Sequence, residues 1–154
     1  MLDLYFEIEG EEQLVRRISD LDISMKDWTP EFQKVGGLLK KTFRDNFSSE
    51  GALIGERWAP LKPATLLQKQ RLGYPPDILI RTQRMKNSFQ DRPTNLFVEI
   101  SNTAPWFIYH QSNKPRRKLP RRVMMRIDNR RKEEIVKIFQ KAVQDRLQMR
   151  SFTK

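Results

Sequence analysis

The stretch TPEFQKVGGLLKKTFRDNF, residues 29–47, decides how this chain is read. Thr29 can accept hydrogen bonds from the free amides of a helix start, Pro30 lacks one of those amides anyway, and Glu31 suits the positive end of the helix dipole. Phe32, Val35, Leu39, Phe43 and Phe47 then recur three or four residues apart. That spacing predicts an amphipathic helix with one apolar stripe. Gly36 and Gly37 interrupt it at roughly 1 kcal/mol each relative to Ala, which points to another backbone packed close by, the alternative being a kink.

Outward toward the N-terminus, Leu2, Leu4, Phe6 and Ile8 alternate with Asp3, Tyr5 and Glu7, the period-two pattern of a strand that Gly10 ends. Leu14, Ile18 and Leu21 predict a short helix from Glu11 to about Asp22. Toward the C-terminus, Ser48 to Gly55 reads as a loop, and Pro60 and Pro63 bar residues 58–63 from a central strand or helix interior. A short helix is expected from about Ala64 to Arg71, then a turn at Gly73-Tyr74-Pro75-Pro76. Ile78-Leu79-Ile80 is too brief to assign. Arg81 to Gln90 reads as helix, with Met85 and Phe89 four apart. Leu96, Val98 and Ile100, and again Val123, Met125 and Ile127, alternate as strands on either side of a Pro-rich basic loop. Ile135, Ile138, Phe139, Ala142, Val143 and Leu147 share one face of a C-terminal helix whose other face carries Lys137, Gln140, Lys141, Gln144 and Asp145.

The expected fold is therefore α+β: a small, mostly antiparallel sheet flanked by helices, with a long basic loop between two strands and a C-terminal amphipathic helix. A single domain is expected over 1–154, divided into an N-terminal strand and helices (1–50), a central region of loops and strands (51–128) and the C-terminal helix (129–150).

Composition agrees with a modest core. The 154 residues are 38% hydrophobic and 32% charged, with 9 Phe, 3 Trp and 3 Tyr, enough bulk to argue against wholesale disorder. The absence of cysteine excludes a disulfide scaffold, Cys-based zinc sites and thiol catalysis, and leaves the redox compartment open. No run approaches the ~18 apolar residues of a membrane span, and the first residues lack the basic and apolar regions of a secretory leader, so a soluble protein without a membrane partner is expected.

Thirty Lys and Arg against 19 Asp and Glu give a net charge of +11. Between Lys114 and Lys132 ten basic residues face one acid, Asp128. Such a segment fits an anionic surface, whether nucleic acid, an acidic protein face or anionic lipid, or else a solvated loop. The stretch holds no aromatic residue of the kind that stacks on unpaired bases, so nucleic-acid contact there would be to the backbone and independent of sequence.

Reactive chemistry is sparse. The chain shows no phosphate loop, dinucleotide fingerprint, nucleophile elbow or paired-His zinc motif. His110, the sole histidine, has no carboxylate near it in sequence and reads as structural. Glu11/Glu12, Asp20/Asp22 and Glu133/Glu134 read as solvated pairs. No catalytic residue, cofactor or metal is expected. Trp28 and Trp106 read first as core, whereas Trp58, in a loop, reads equally as an interface anchor or a pin for the loop.

The segment from Gly55 through Trp58, Pro60, Leu61 and Thr65 to Lys69 resembles the signature of the phage virion morphogenesis, or tail completion, family. Ile78-Leu79 with Thr82, Arg84 and Ser88, then Trp106-Phe107-Ile108-Tyr109-His110-Gln111, then Pro120-Arg121-Arg122, follow in the family's order. The chain departs from the pattern at Gln83 and Asn113, where the family commonly has Gly, at Trp106-Phe107 in place of Tyr-Ala, and at Val123-Met124-Met125-Arg126 in place of Pro-Phe-Leu-Gly. Asn at position 113 tolerates the left-handed backbone a turn there would need.

The resemblance implies a non-enzymatic virion protein. It would be made in the host cytoplasm and placed at the neck or tail end, where it completes the tail and permits head-to-tail joining. Such proteins commonly form rings, often hexamers, around the DNA passage, and a ring needs two different adhesive faces per subunit. Its partners would be its own copies, tail tube or sheath or neck connector proteins, and the DNA in the passage. On that reading Trp58, Pro60, Leu61, Thr65, Lys69, Trp106, His110 and Gln111 are expected at subunit or partner interfaces. Lys114, Arg116, Arg117, Lys118, Arg121 and Arg122 are expected to meet an anionic partner. The alternative is a sequence-independent nucleic-acid-binding module using residues 114–132.

Overall fold

The structure, a computed structural model, describes residues 27–114, 116 and 118–151. The strand expected over Leu2–Ile8 and the helix expected from Glu11 to Asp22 lie outside these residues. Among the described residues the order is α1 (Thr29–Ser48), a 3-10 turn (Ala52–Ile54), α2 (Pro63–Arg71), α3 (Arg84–Asn87), β1 (Phe89–Pro93), β2 (Val98–Asn102), α4 (Phe107–Gln111) and α5 (Asn129–Ser151). The fold is α+β.

Helix α1 is the spine. Its stripe is buried as its spacing requires, with Val35, Leu39, Phe43 and Phe47 each at most 1% exposed. The start differs from the expectation: Thr29 is the first helical residue, and its own amide donates to the Asp27 carboxylate at 2.9 Å. The two glycines also separate. A Cβ on Gly36 would lie 2.8 Å from Asp91 Oδ2 and 3.1 Å from Val98 Cγ2, so the hairpin packs directly on the helix there, while Gly37 faces open space.

That hairpin pairs β1 with β2 antiparallel, Phe89 opposite Asn102 and Pro93 opposite Val98. A lone two-stranded ribbon is marginal in water, so this one depends on the helix beneath it. Phe89 packs against the rings of Phe43, Phe47 and Phe107 in tilted and edge-on arrangements, at centroid distances of 5.9, 6.1 and 5.9 Å. Lys40 of α1 forms a salt bridge with Asp91 of β1.

Helix α5 covers the other side of α1. Ile135 is buried, Phe139 packs edge-on against Phe32 at 5.2 Å, and Arg146 lies 4.2 Å over the Trp28 ring while pairing with the buried Glu31 at 2.8 Å. Arg131 N donates to Asp128 Oδ1 at 3.2 Å, satisfying one of the free amides of the first turn.

Two expectations are corrected. The helix expected over Arg81–Gln90 is confined to Arg84–Asn87, and Phe89 begins a strand. The strand expected at Val123–Ile127 is not formed, so the basic loop is not flanked by two strands. Val123, Met124 and Met125 are buried one after another, and their backbone groups bond to side chains instead of a strand neighbour.

Candidate functional site

The signature segments, far apart in sequence, meet at one junction. Gly51, at φ 90°, turns the chain so that Trp58 N donates to Glu50 O at 2.7 Å. The Trp58 ring lies edge-on to Phe47 at 5.2 Å, and its indole N–H donates to Val123 O at 2.7 Å. One residue on, Ala59 O accepts from Arg122 Nε and Nη2 at 3.2 and 2.9 Å.

Gln111 completes the clamp from the other side. Its Nε2 donates to Met125 O at 2.7 Å, and its Oε1 accepts from Met124 N at 2.7 Å and Met125 N at 3.1 Å. One buried amide side chain thus satisfies three backbone groups, which explains how residues 123–125 stay buried without a sheet partner. Arg122 N donates to His110 O at 2.9 Å, joining the two halves of the clamp.

The expected interface residues therefore divide. Trp58, at 4% exposed, and Gln111, at 7%, commit their polar atoms to the fold. Arg122, expected at an anionic partner, is 5% exposed and is likewise held by Ala59. Lys69, on α2, donates to Asp77 O and Ile80 O at 2.5 and 2.7 Å and so ties that helix to the turn after it. Pro60 is exposed, while Leu61 and Thr65 are half-buried.

Exposed apolar groups form the accessible part of the candidate surface. Helix α2 buries no residue, and Leu66 and Leu67 on it are 40% and 60% exposed. Trp106, Ile108 and Tyr109 stand out around α4, and Leu96 and Phe97 at the hairpin tip. Of these, Trp106, Ile108 and Tyr109 belong to the segment that carries the resemblance, and Trp106 alone is an expected interface residue. Adjacent leucines in a nine-residue helix with no apolar stripe are the signal that could have found Leu66 and Leu67.

The basic stretch is less free than its sequence suggests. Arg131 pairs with Asp128 and Arg130 with Glu134, both at 3.2 Å, so two of the three cations in the first turn of α5 are offset internally. Arg121 and Arg126 share Glu56 at 3.4 and 3.2 Å. Arg116 lies 4.5 Å over the Tyr109 ring. Among the described residues Lys114, Lys118 and Lys132 are exposed and have no ion pair. Arg117 lies outside the described residues.

His110 is half-buried, with Nδ1 enclosed and without a hydrogen-bond partner. Burial first, and then the nearby Arg122 and Arg116 charges, push its pKa down to about 4. The imidazole is therefore neutral at physiological pH. Burial likewise lowers Lys69 below the usual lysine range.

Two departures from the family pattern can be placed. Gln83 adopts φ 57°, the left-handed backbone that Gly would adopt without a Cβ penalty. Asn113 is not among the residues with positive φ, so the expected left-handed turn is absent there.

Among the described residues no three His, Cys, Asp or Glu side chains gather as a metal-binding group, and no helix is long and apolar enough to cross a membrane. What the fold exposes is apolar side chains on α2 and around α4, with cations beside them. The chain belongs to the phage virion morphogenesis family, which it matches over residues 8–144. Comparison with curated proteins and with solved structures finds no match. Membership in a structural, assembly family gives the protein a role in building the phage particle.

Proposed function

We propose that this protein completes the phage tail, forming a homo-oligomeric ring at the neck or tail end that permits head-to-tail joining. The observation that carries the reading, beyond family membership, is α2. A nine-residue helix is too short to be stable alone in water, and this one buries no residue yet displays Leu66 and Leu67. A neighbouring subunit seated on that face would supply the missing contacts. Pro60, Leu61 and Thr65 lie just before or in the first turn of the same helix. Trp106, Ile108 and Tyr109 offer the second, different face that a closed ring requires. In such a ring the exposed Lys114 and Lys118 meet an acidic neighbour or the DNA in the passage.

Sedimentation of the purified chain, alone and with tail-tube protein, tests this reading. Leu66→Glu/Leu67→Glu should give a folded monomer with unchanged circular dichroism and should fail to restore infectious particles when it replaces the wild-type protein. Wild-type protein that stays monomeric at high concentration and ignores tail components rejects it.

The exposed Lys114, Lys118 and Lys132 favour a second reading, sequence-independent binding of nucleic acid. Duplex binding by the monomer, with affinity falling steeply as salt rises, would support it over the ring.

A further inference from the structure

One cleft holds two arginines that form no salt bridge among the described residues. It encloses about 440 Å³ and is bounded by Tyr74, Leu79, Arg81, Thr82, Arg84 and Trp106. Arg81 lies 4.5 Å over the Tyr74 ring and Arg84 lies 5.3 Å over the Trp106 ring. Stacking holds each guanidinium by its face and leaves the N–H edge available for planar acceptors. Among the described residues neither arginine has an ion pair.

The walls are shaped by unusual backbone. Leu79 has φ 59° and Gln83 has φ 57°, a left-handed conformation that non-glycine residues adopt rarely and that clusters at ligand clamps. Met85 adds a buried apolar surface. Two guanidinium edges, an apolar wall and a part-exposed indole together suit a peptide bearing carboxylates next to apolar side chains. A DNA duplex presents its phosphates on a convex rod and suits a concave cleft of this size poorly.

The chain itself contains a segment of that chemistry. Residues 1–26 hold seven acids against three basic residues, a net charge of −4, while residues 27–154 carry +15. Leu4-Tyr5-Phe6-Glu7-Ile8-Glu9-Gly10-Glu11-Glu12 has four carboxylates and no cation, with Tyr5, Phe6 and Ile8 interleaved. We infer that the Arg81/Arg84 cleft of one subunit receives the Leu4–Glu12 segment of the next, a head-to-tail contact between copies of this chain. The inference rests on the self-assembly proposed above and assigns one of its two faces.

The test uses the full chain in two charge-reversed forms, Arg81→Glu/Arg84→Glu and Glu7→Lys/Glu9→Lys/Glu11→Lys, the second of which gives the segment a net positive charge. Either form alone gives cleft and segment the same sign. Self-association measured by sedimentation should then weaken by roughly tenfold to a hundredfold, the loss expected for charge-assisted hydrogen bonds across an interface. An equimolar mixture should recover, because in an alternating arrangement every cleft meets a segment of opposite sign. Arg81 and Arg84 are exposed, and circular dichroism of each form confirms that it folds.

Wild-type oligomers that survive both reversals overturn the inference while leaving the ring intact, whereas a monomeric wild type ends the ring reading and the inference with it. Reversed forms that stay monomeric when mixed assign the cleft to the subunit's own segment and overturn the contact between copies. Loss of duplex-DNA retardation on reversal of Arg81 and Arg84, with self-association unchanged, gives the cleft to nucleic acid and also overturns it.

Discussion

Replacing Gln111 by Met keeps the length and approximate volume of the side chain and removes only its hydrogen bonds. Three buried backbone groups, Met124 N, Met125 N and Met125 O, then lose their partner at once. Each orphaned group costs about 1–3 kcal/mol. Shared relaxation keeps the total below the simple sum, so the expected loss is about 3–5 kcal/mol. Against a typical domain stability of about 5–15 kcal/mol, that brings the variant near the edge of unfolding. Urea titration followed by tryptophan fluorescence reads it directly: the midpoint should fall with the slope unchanged. A loss under about 1 kcal/mol would mean that water or a strand neighbour already satisfies these groups, and the clamp would not be what holds residues 123–125 in place.

Three further outcomes follow from the geometry. Gly51→Ala should destabilise by about 3 kcal/mol or more in the same titration, because its Cβ would lie 2.1 Å from Glu56 O and 2.5 Å from the Trp58 ring at φ 90°, whereas Gly37→Ala, facing open space, should stabilise by about 0.5–1 kcal/mol. Since His110 has its pKa lowered from 6.5 to about 4 on folding, the unfolded chain binds the proton more readily; that contribution to stability is complete above pH 6.5 and lost as pH falls toward 4, and His110→Gln should flatten this part of a stability-versus-pH curve. Arg146→Ala leaves the Glu31 carboxylate, 5% exposed, without its partner and should cost about 3 kcal/mol in thermal or chemical denaturation, with Glu31→Gln in the same background recovering part of it.

The sequence was most legible where one local rule acted alone. Pro30 and Pro63 sit at helix starts as their missing amide allows, and the stripe from Val35 to Phe47 is buried as its spacing required. Reading failed where two periodicities coincide. Met85 and Phe89 are four apart and both buried, which suits a helix, yet the second belongs to a strand whose Asp91, Arg92 and Pro93 have little intrinsic preference for one. Contacts with α1, not propensity, decide that strand. Val123 to Ile127 alternates like a half-buried strand, but Val123, Met124 and Met125 are buried in succession, and no sequence pattern announces that a glutamine a dozen positions earlier will serve their backbone. The candidate surface divided for a similar reason: Trp58 and Gln111 carry the family resemblance and turn inward, while Leu66 and Leu67 turn outward.

Helix α2 is fastened chiefly through Lys69, by an ammonium group reaching two carbonyls, with no apolar face anchoring it. A tether of that kind fixes position better than it fixes angle. Amides of residues 63–71 should accordingly exchange with solvent through small local openings long before the body of the protein yields. Whatever settles on the two leucines must first still that motion, and the entropy so lost is subtracted from its grip. In the proposed ring, stray encounters between dilute subunits would thereby be kept brief, and only a surface that also engages elsewhere on the molecule would hold on.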